Sequence, residues 1–91
     1  MRSYIALLHK DAGSDYGVSF PDFPGCITTG ATLDEARALA VEVLAFHAEG
    51  LMADGEALPE PSSLEVVMSD HENREAVAVI VDLHELAGVQ Q

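Results

Sequence analysis

The chain has 91 residues, 48% of them hydrophobic, with two tyrosines, three phenylalanines and no tryptophan. A single domain of this size buries only about 60 to 68% of the surface its unfolded form exposes, so a core of Val, Leu, Ile and Ala leaves modest stability and favours self-association. Sixteen acidic residues against Arg2, Lys10, Arg37 and Arg74 give a formal charge of -12, which argues against direct nucleic-acid binding and suits a basic protein partner.

Ser3 to His9 alternates with a period near two, with Tyr4, Ala6 and Leu8 on one side and Ile5 and Leu7 on the other. A strand apolar on both faces belongs in the middle of a sheet. After the turn-rich Asp11-Ala12-Gly13-Ser14-Asp15, Tyr16, Val18 and Phe20 line one face of a second strand, and the two segments read as a hairpin. Pro21 and Pro24 then fix their own φ and restrict the residues before them, which predicts a stiff, exposed corner around Asp22 and Phe23. Gly25 turns the chain back, and Cys26 to Thr29 makes a short third strand ending at Gly30.

Thr32 with Glu35 three residues on is a capping-box pattern, so a helix starts at Leu33. Ala36, Leu39, Ala40, Val43, His47 and Leu51 recur at three- and four-residue spacings, with Asp34, Glu42 and Glu49 on the outer side and Gly55 as the stop. Pro59 and Pro61 rule out helix interior or central strand, and Ser62 or Ser63 could cap a helical turn over Leu64 to Met68, a segment that could equally be extended. Ala76 to Val81 is an almost uninterrupted β-branched run and reads as a buried strand. The result is one α+β domain over residues 1–91, β-β-β-α-β, with 84–91 as a flexible tail. The sheet order is 3-2-1-4, with the last strand expected parallel to the first under the right-handed crossover rule and the long helix on one face.

The residue types that could carry chemistry are sparse. Cys26 is the one cysteine, which excludes an intramolecular disulfide or a cysteine-built zinc site within one chain. His9, His47, His71 and His84 are scattered without metal-ligand spacing, and none is placed beside Cys26 as a base, so the thiol reads as a buried structural one. The N-terminus is interrupted by charge too early for a signal peptide or membrane span, so a cytoplasmic location without membrane contact is expected. No cofactor or metal is implied.

Taken in order, Tyr16 through Glu35 contains the Pro-Asp-x-Pro-Gly-Cys corner and the Gly-x-Thr-x-x-Glu-Ala helix entry, and Gly55 through Ser62 contains Pro-x-Pro. This ordered set resembles the HicB family of type II antitoxins over nearly the whole chain. The resemblance implies a partial ribonuclease H-like fold without catalysis, and neutralisation of a small basic toxin that cleaves messenger RNA. Family members of full length usually continue into a helix-turn-helix or ribbon-helix-helix domain; Leu83 to Gln91 is too short to form one, so DNA contact by this chain is not expected.

Within this reading, Pro21, Pro24, Gly25, Cys26, Gly30, Thr32 and Glu35 are structural, and the expected contacts for a toxin are Tyr16, Asp22, Phe23, Asp34, Glu42 and Glu49. A rigid corner with an acid and an aromatic loses little entropy on docking, although a turn that only sets strand register explains the same residues. The acids of the helix read more readily as a solvated face than as a toxin-binding stripe. Two alternatives stand beside the antitoxin: a solitary oligomerising or regulatory module of the same fold, and a metal-dependent hydrolase using Asp22 and Asp82. The first strand, Tyr4 to His9, contains no acid for the hydrolase site.

Overall fold

The computed structural model describes residues 2–10, 13 and 15–83. The expected tail, 84–91, lies outside the described residues, as do residues 11, 12 and 14 of the first turn. The elements are β1 (Arg2–Lys10), β2 (Tyr16–Ser19), β3 (Ile27–Gly30), α1 (Leu33–Ala53), α2 (Leu64–Met68), a single 3-10 turn (His71–Asn73) and β4 (Val77–Leu83). The sheet order is β3-β2-β1-β4, with β1 central.

β1 buries five consecutive residues, Tyr4 to Leu8, because both of its faces are covered. Tyr4, Ala6 and Leu8 join Val18, Val81 and Leu83 beneath α1, while Ile5 and Leu7 meet Val67 of α2 on the opposite face. The buried stripe of α1 is Ala36, Ala40, Leu44 and Ala48. Its alanines let the helix lie close to the sheet, and Gly30 marks the tightest approach: a Cβ there would stand 2.6 Å from the Ala36 nitrogen.

The ends of α1 follow from local chemistry. Thr32 Oγ1 accepts from the Glu35 N–H at 3.1 Å, and the Glu35 carboxylate reaches back to the Ala31 N–H, one residue before the cap. At the far end Glu56 donates to the Leu51 carbonyl and Gly55 to that of Met52, with Gly55 at φ +75. This Schellman closure needs a left-handed residue, which glycine adopts without a Cβ penalty. Ser63 caps α2 through the Val66 N–H at 3.2 Å, which settles Leu64 to Met68 as helical.

The direction of β4 corrects the sequence expectation. β4 runs antiparallel to β1, from Leu8↔Val77 to Arg2↔Leu83. A parallel strand would follow if α1 alone carried the chain back across the sheet. Here the chain crosses twice: α1 descends one face, residues 54–63 pass the end of the sheet where β1 begins, and α2 climbs the other face before β4 starts. The burial of the last strand is also less than its composition suggests. Val81 and Leu83 are buried, but Val77, on the α1 face, and Ile80, on the α2 face, are mostly exposed, since β4 is an edge strand.

Candidate partner-binding surface

The corner between β2 and β3 is two successive β-turns. Phe23 N–H donates to the Phe20 carbonyl at 3.0 Å and Cys26 N–H to the Phe23 carbonyl at 2.9 Å. Each turn has a proline at its second position, Pro21 and Pro24, where φ near −65° is required, and Gly25 at φ +87 completes the second as a type II turn. The three-residue spacing directs Phe20, Phe23 and Cys26 inward, and all three are buried.

Phe23 therefore differs from the exposed anchor expected of it. It is 2% exposed, its ring centroid 4.7 Å from that of Tyr4 and 5.7 Å from that of His47, both edge-on. Three apolar residues presented at every third position of a double turn are worth more in the core than in water, and the turn geometry gives them a core to enter.

Asp22, half-buried, is the other half of the corner. Its carboxylate accepts from the Ser62 N–H at 2.8 Å and from the Ser62 hydroxyl at 2.6 Å. The Pro59-Glu60-Pro61 segment is held a second time where Tyr4 Oη donates to the Pro59 carbonyl at 2.6 Å, and Arg2 donates to the carbonyls of Leu58 and Pro59 at 3.3 and 3.1 Å. The two proline-rich segments, 40 residues apart, are thus one clasp at one end of the sheet. Ser62 entered the sequence reading only as a helix cap; its pairing with Asp22 is a long-range contact that local patterning cannot signal.

Tyr16 lies half-buried at the start of β2 with Lys10 Nζ 5.5 Å above its ring. Asp34, Glu42 and Glu49 are exposed along α1. The structure adds a residue the sequence reading passed over: Phe46 is 77% exposed, one turn from both Glu42 and Glu49 on the same side of the helix. Val41 and Met52 are also exposed beside them. The outer face of α1 is accordingly mixed acid and hydrocarbon rather than a plain solvated stripe, and the signal for it was present as a phenylalanine off the apolar register.

The two acids of the hydrolase alternative each accept hydrogen bonds from a serine. The carboxylate of Asp22 is committed to Ser62, and that of Asp82 accepts from Ser3 Oγ at 2.6 Å. Among the described residues no group of three or more His, Cys, Asp or Glu could hold a metal ion. Cys26 donates to the Val43 carbonyl with Sγ at 3.7 Å, and burial pushes its thiol pKa up, which opposes thiolate formation. His9 stands 3.4 Å from Ser19 Oγ, His47 packs on Phe23, and His71 opens the 3-10 turn; His84 lies outside the described residues. No helix among the described residues is long and apolar enough to cross a membrane.

Residues 4–91 match the model of the HicB-like antitoxins of bacterial toxin-antitoxin systems. The chain belongs to that family. It is 40% identical over 68 residues to an uncharacterized 14.9 kDa protein of the rep-hol intergenic region of Haemophilus phage HP1, an alignment covering 75% of this chain and 51% of that protein. It superposes with a TM-score of 0.82 on the antitoxin HicB of Burkholderia pseudomallei, at 34% identity over 91% of this chain and 64% of that one. A chain of the HicA3 and HicB3 toxin-antitoxin complex gives a TM-score of 0.74 at 27% identity, over 91% of this chain and 99% of that one. The chain thus spans about half the length of the curated relative it matches.

Proposed function

We propose that this protein is a non-catalytic antitoxin that binds and neutralises a small basic ribonuclease toxin, in the cytoplasm and as a homo-oligomer, with the outer face of α1 as its contact surface. The observation that carries the reading is the exposed Phe46 set between Glu42 and Glu49, in a family of antitoxins and on a chain of formal charge -12. Acids steer a basic partner and fix its orientation, while an aromatic at the centre of the patch supplies the desolvated anchor that holds the complex. Asp34 adds a further acid about two turns nearer the helix start. Asp22 and Phe23 support this surface indirectly, by fixing the corner and the clasp behind it, while Tyr16 packs against the core at the other end of β2.

The test is co-expression with any small lysine-rich protein encoded in an adjacent reading frame, read by growth rescue and co-purification. A folded chain that fails to rescue growth ends the antitoxin reading. Where the complex forms, Phe46→Ala is expected to weaken it by about 30-fold, in the range of a hot-spot truncation. The pair Glu42→Lys, Glu49→Lys should slow association at low salt and lose that effect as salt rises. Unchanged affinity in both variants would move the contact surface away from α1.

A further inference from the structure

We propose that residues 63–76 are a hinged lid over the face of β1 that points away from α1, latched by the β2–β3 corner and opening as one unit while the sheet and α1 stay folded. This rests on neither toxin binding nor the oligomeric state. The two faces of the sheet are unequally covered. On the α1 side the cluster has thirteen buried residues, whereas the opposite face has three, Ile5 and Leu7 of β1 and Val67 of α2. Val67 is the one buried residue between Ser63 and Ala76. The five-residue α2 has no stability of its own, since isolated helices shorter than about 12 to 15 residues are marginal in water. It is held in place by one side chain and by its two ends.

The hydrogen bonds mark where the unit begins and ends. Among the described residues, each bond made by a side chain of residues 63–76 closes within the segment. Ser63 Oγ accepts from the Val66 N–H, Ser69 Oγ donates to the Val66 carbonyl, and Asp70 accepts from the Glu72 N–H. Asn73 Nδ2 donates to the Val67 carbonyl at 2.9 Å, which ties the 3-10 turn to α2 and makes one piece of the two. At its far end the segment enters the ladder at Val77, opposite Leu8. At its near end Asp22 holds Ser62, the residue before the α2 cap, through the N–H at 2.8 Å and the hydroxyl at 2.6 Å. That pair is the latch, and two prolines stiffen the corner that carries it. The Pro59 carbonyl is pinned separately by Tyr4, so release of Ser62 places the hinge at residues 60–62. Opening uncovers Ile5, Leu7 and Ala78 beside the exposed Ile80, which stands opposite Ile5 in the ladder. A segment with so few buried apolar contacts opens at a fraction of the free energy of global unfolding.

Native-state hydrogen exchange on the whole chain, in urea below the unfolding transition, tests this. The amides of Val67, Ser69, Asn73 and Ala76 are expected to share one opening, about 100-fold more frequent than that of the central β1 amides and only weakly dependent on urea. Ser62→Ala should raise their exchange about 5-fold and Asp22→Ala about 30-fold, because the latch is broken whenever the lid opens. Ser3→Ala removes the bond to Asp82 on the same face of the sheet and should leave the lid rates unchanged. Arg74, one of the four Lys and Arg residues, lies exposed in the lid, so trypsin cleavage after it should accelerate by the same factors as exchange. Lid amides as well protected as those of β1, or opening each at its own rate, overturn the proposal. So do exchange and cleavage rates that neither latch variant changes, or that Ser3→Ala raises as much as they do.

Discussion

Gly30→Ala is the sharpest perturbation the fold permits, because it adds one methyl group where the sheet and α1 come closest. Gly30 has no positive φ, so alanine meets no conformational penalty and by propensity alone would stabilise the strand by about 0.5 to 1 kcal/mol. The obstacle is contact. The new Cβ would stand 2.6 Å from the Ala36 nitrogen, 2.8 Å from its Cα and 3.0 Å from the Glu35 carbonyl carbon, all backbone atoms that no rotamer change can move. Ordinary contact begins near 3.4 Å, so the first turn of α1 must lift by 3.4 − 2.6 = 0.8 Å.

A gap of that size forfeits a quarter to a half of the dispersion energy of the atoms it separates. It opens beneath Ala36 and Ala40, both fully packed, and beside the Thr32 cap. The expected cost is about 3 kcal/mol, the upper part of the range for overpacking, or a fall in Tm of about 12 to 20 °C for a domain of this length. Urea denaturation followed by circular dichroism measures it. Gly50→Ala is the paired control: the same methyl meets nothing within 4 Å, so helix propensity acts alone and stability should rise by about 1 kcal/mol. If Gly30→Ala unfolds within about 0.5 kcal/mol of wild type, the close approach of strand and helix is not what the packing requires.

The clasp and the buried thiol give two further tests. Asp22→Ala leaves the Ser62 N–H and hydroxyl without their acceptor and should cost about 1 to 3 kcal/mol. Ser62→Ala loses only the hydroxyl bond, at about 1 kcal/mol, and a double-mutant cycle between the two should show coupling; additive effects would mean the corner and the Pro59–Pro61 segment are independent. The Cys26 thiol, raised by burial, contributes stability that is complete below the ordinary thiol value of about 8.5 and lost as pH rises through the raised one. The stability of wild type minus that of Cys26→Ala should therefore fall as the solution turns alkaline, and native protein should react with a thiol reagent far more slowly than urea-unfolded protein. A flat difference, or equal reaction rates, would place the thiol in solvent.

Much of the fold was legible in local sequence because it depends on local physics. The alternation of Tyr4 to Leu8 made β1 central, the Thr32 and Gly55 signals bounded α1, and Pro21, Pro24 and Gly25 set the corner with backbone dihedrals alone. The order of strands followed from those elements.

What tertiary structure decided is everything that required two distant segments to meet. The antiparallel direction of β4 depends on a second crossing by residues 54–76, which periodicity does not register. Phe23 went inward because Tyr4 and His47 were waiting there, and Asp22 ceased to be a free acid once Ser62 arrived from 40 residues away. Conversely, Phe46, Val77 and Ile80 look like core residues in sequence and stand at the surface, because a domain this small has one long helix and too little chain to cover both edges of its sheet. Local dihedral and capping preferences determined which elements form; the competition among apolar side chains for a limited interior determined which faces were left exposed.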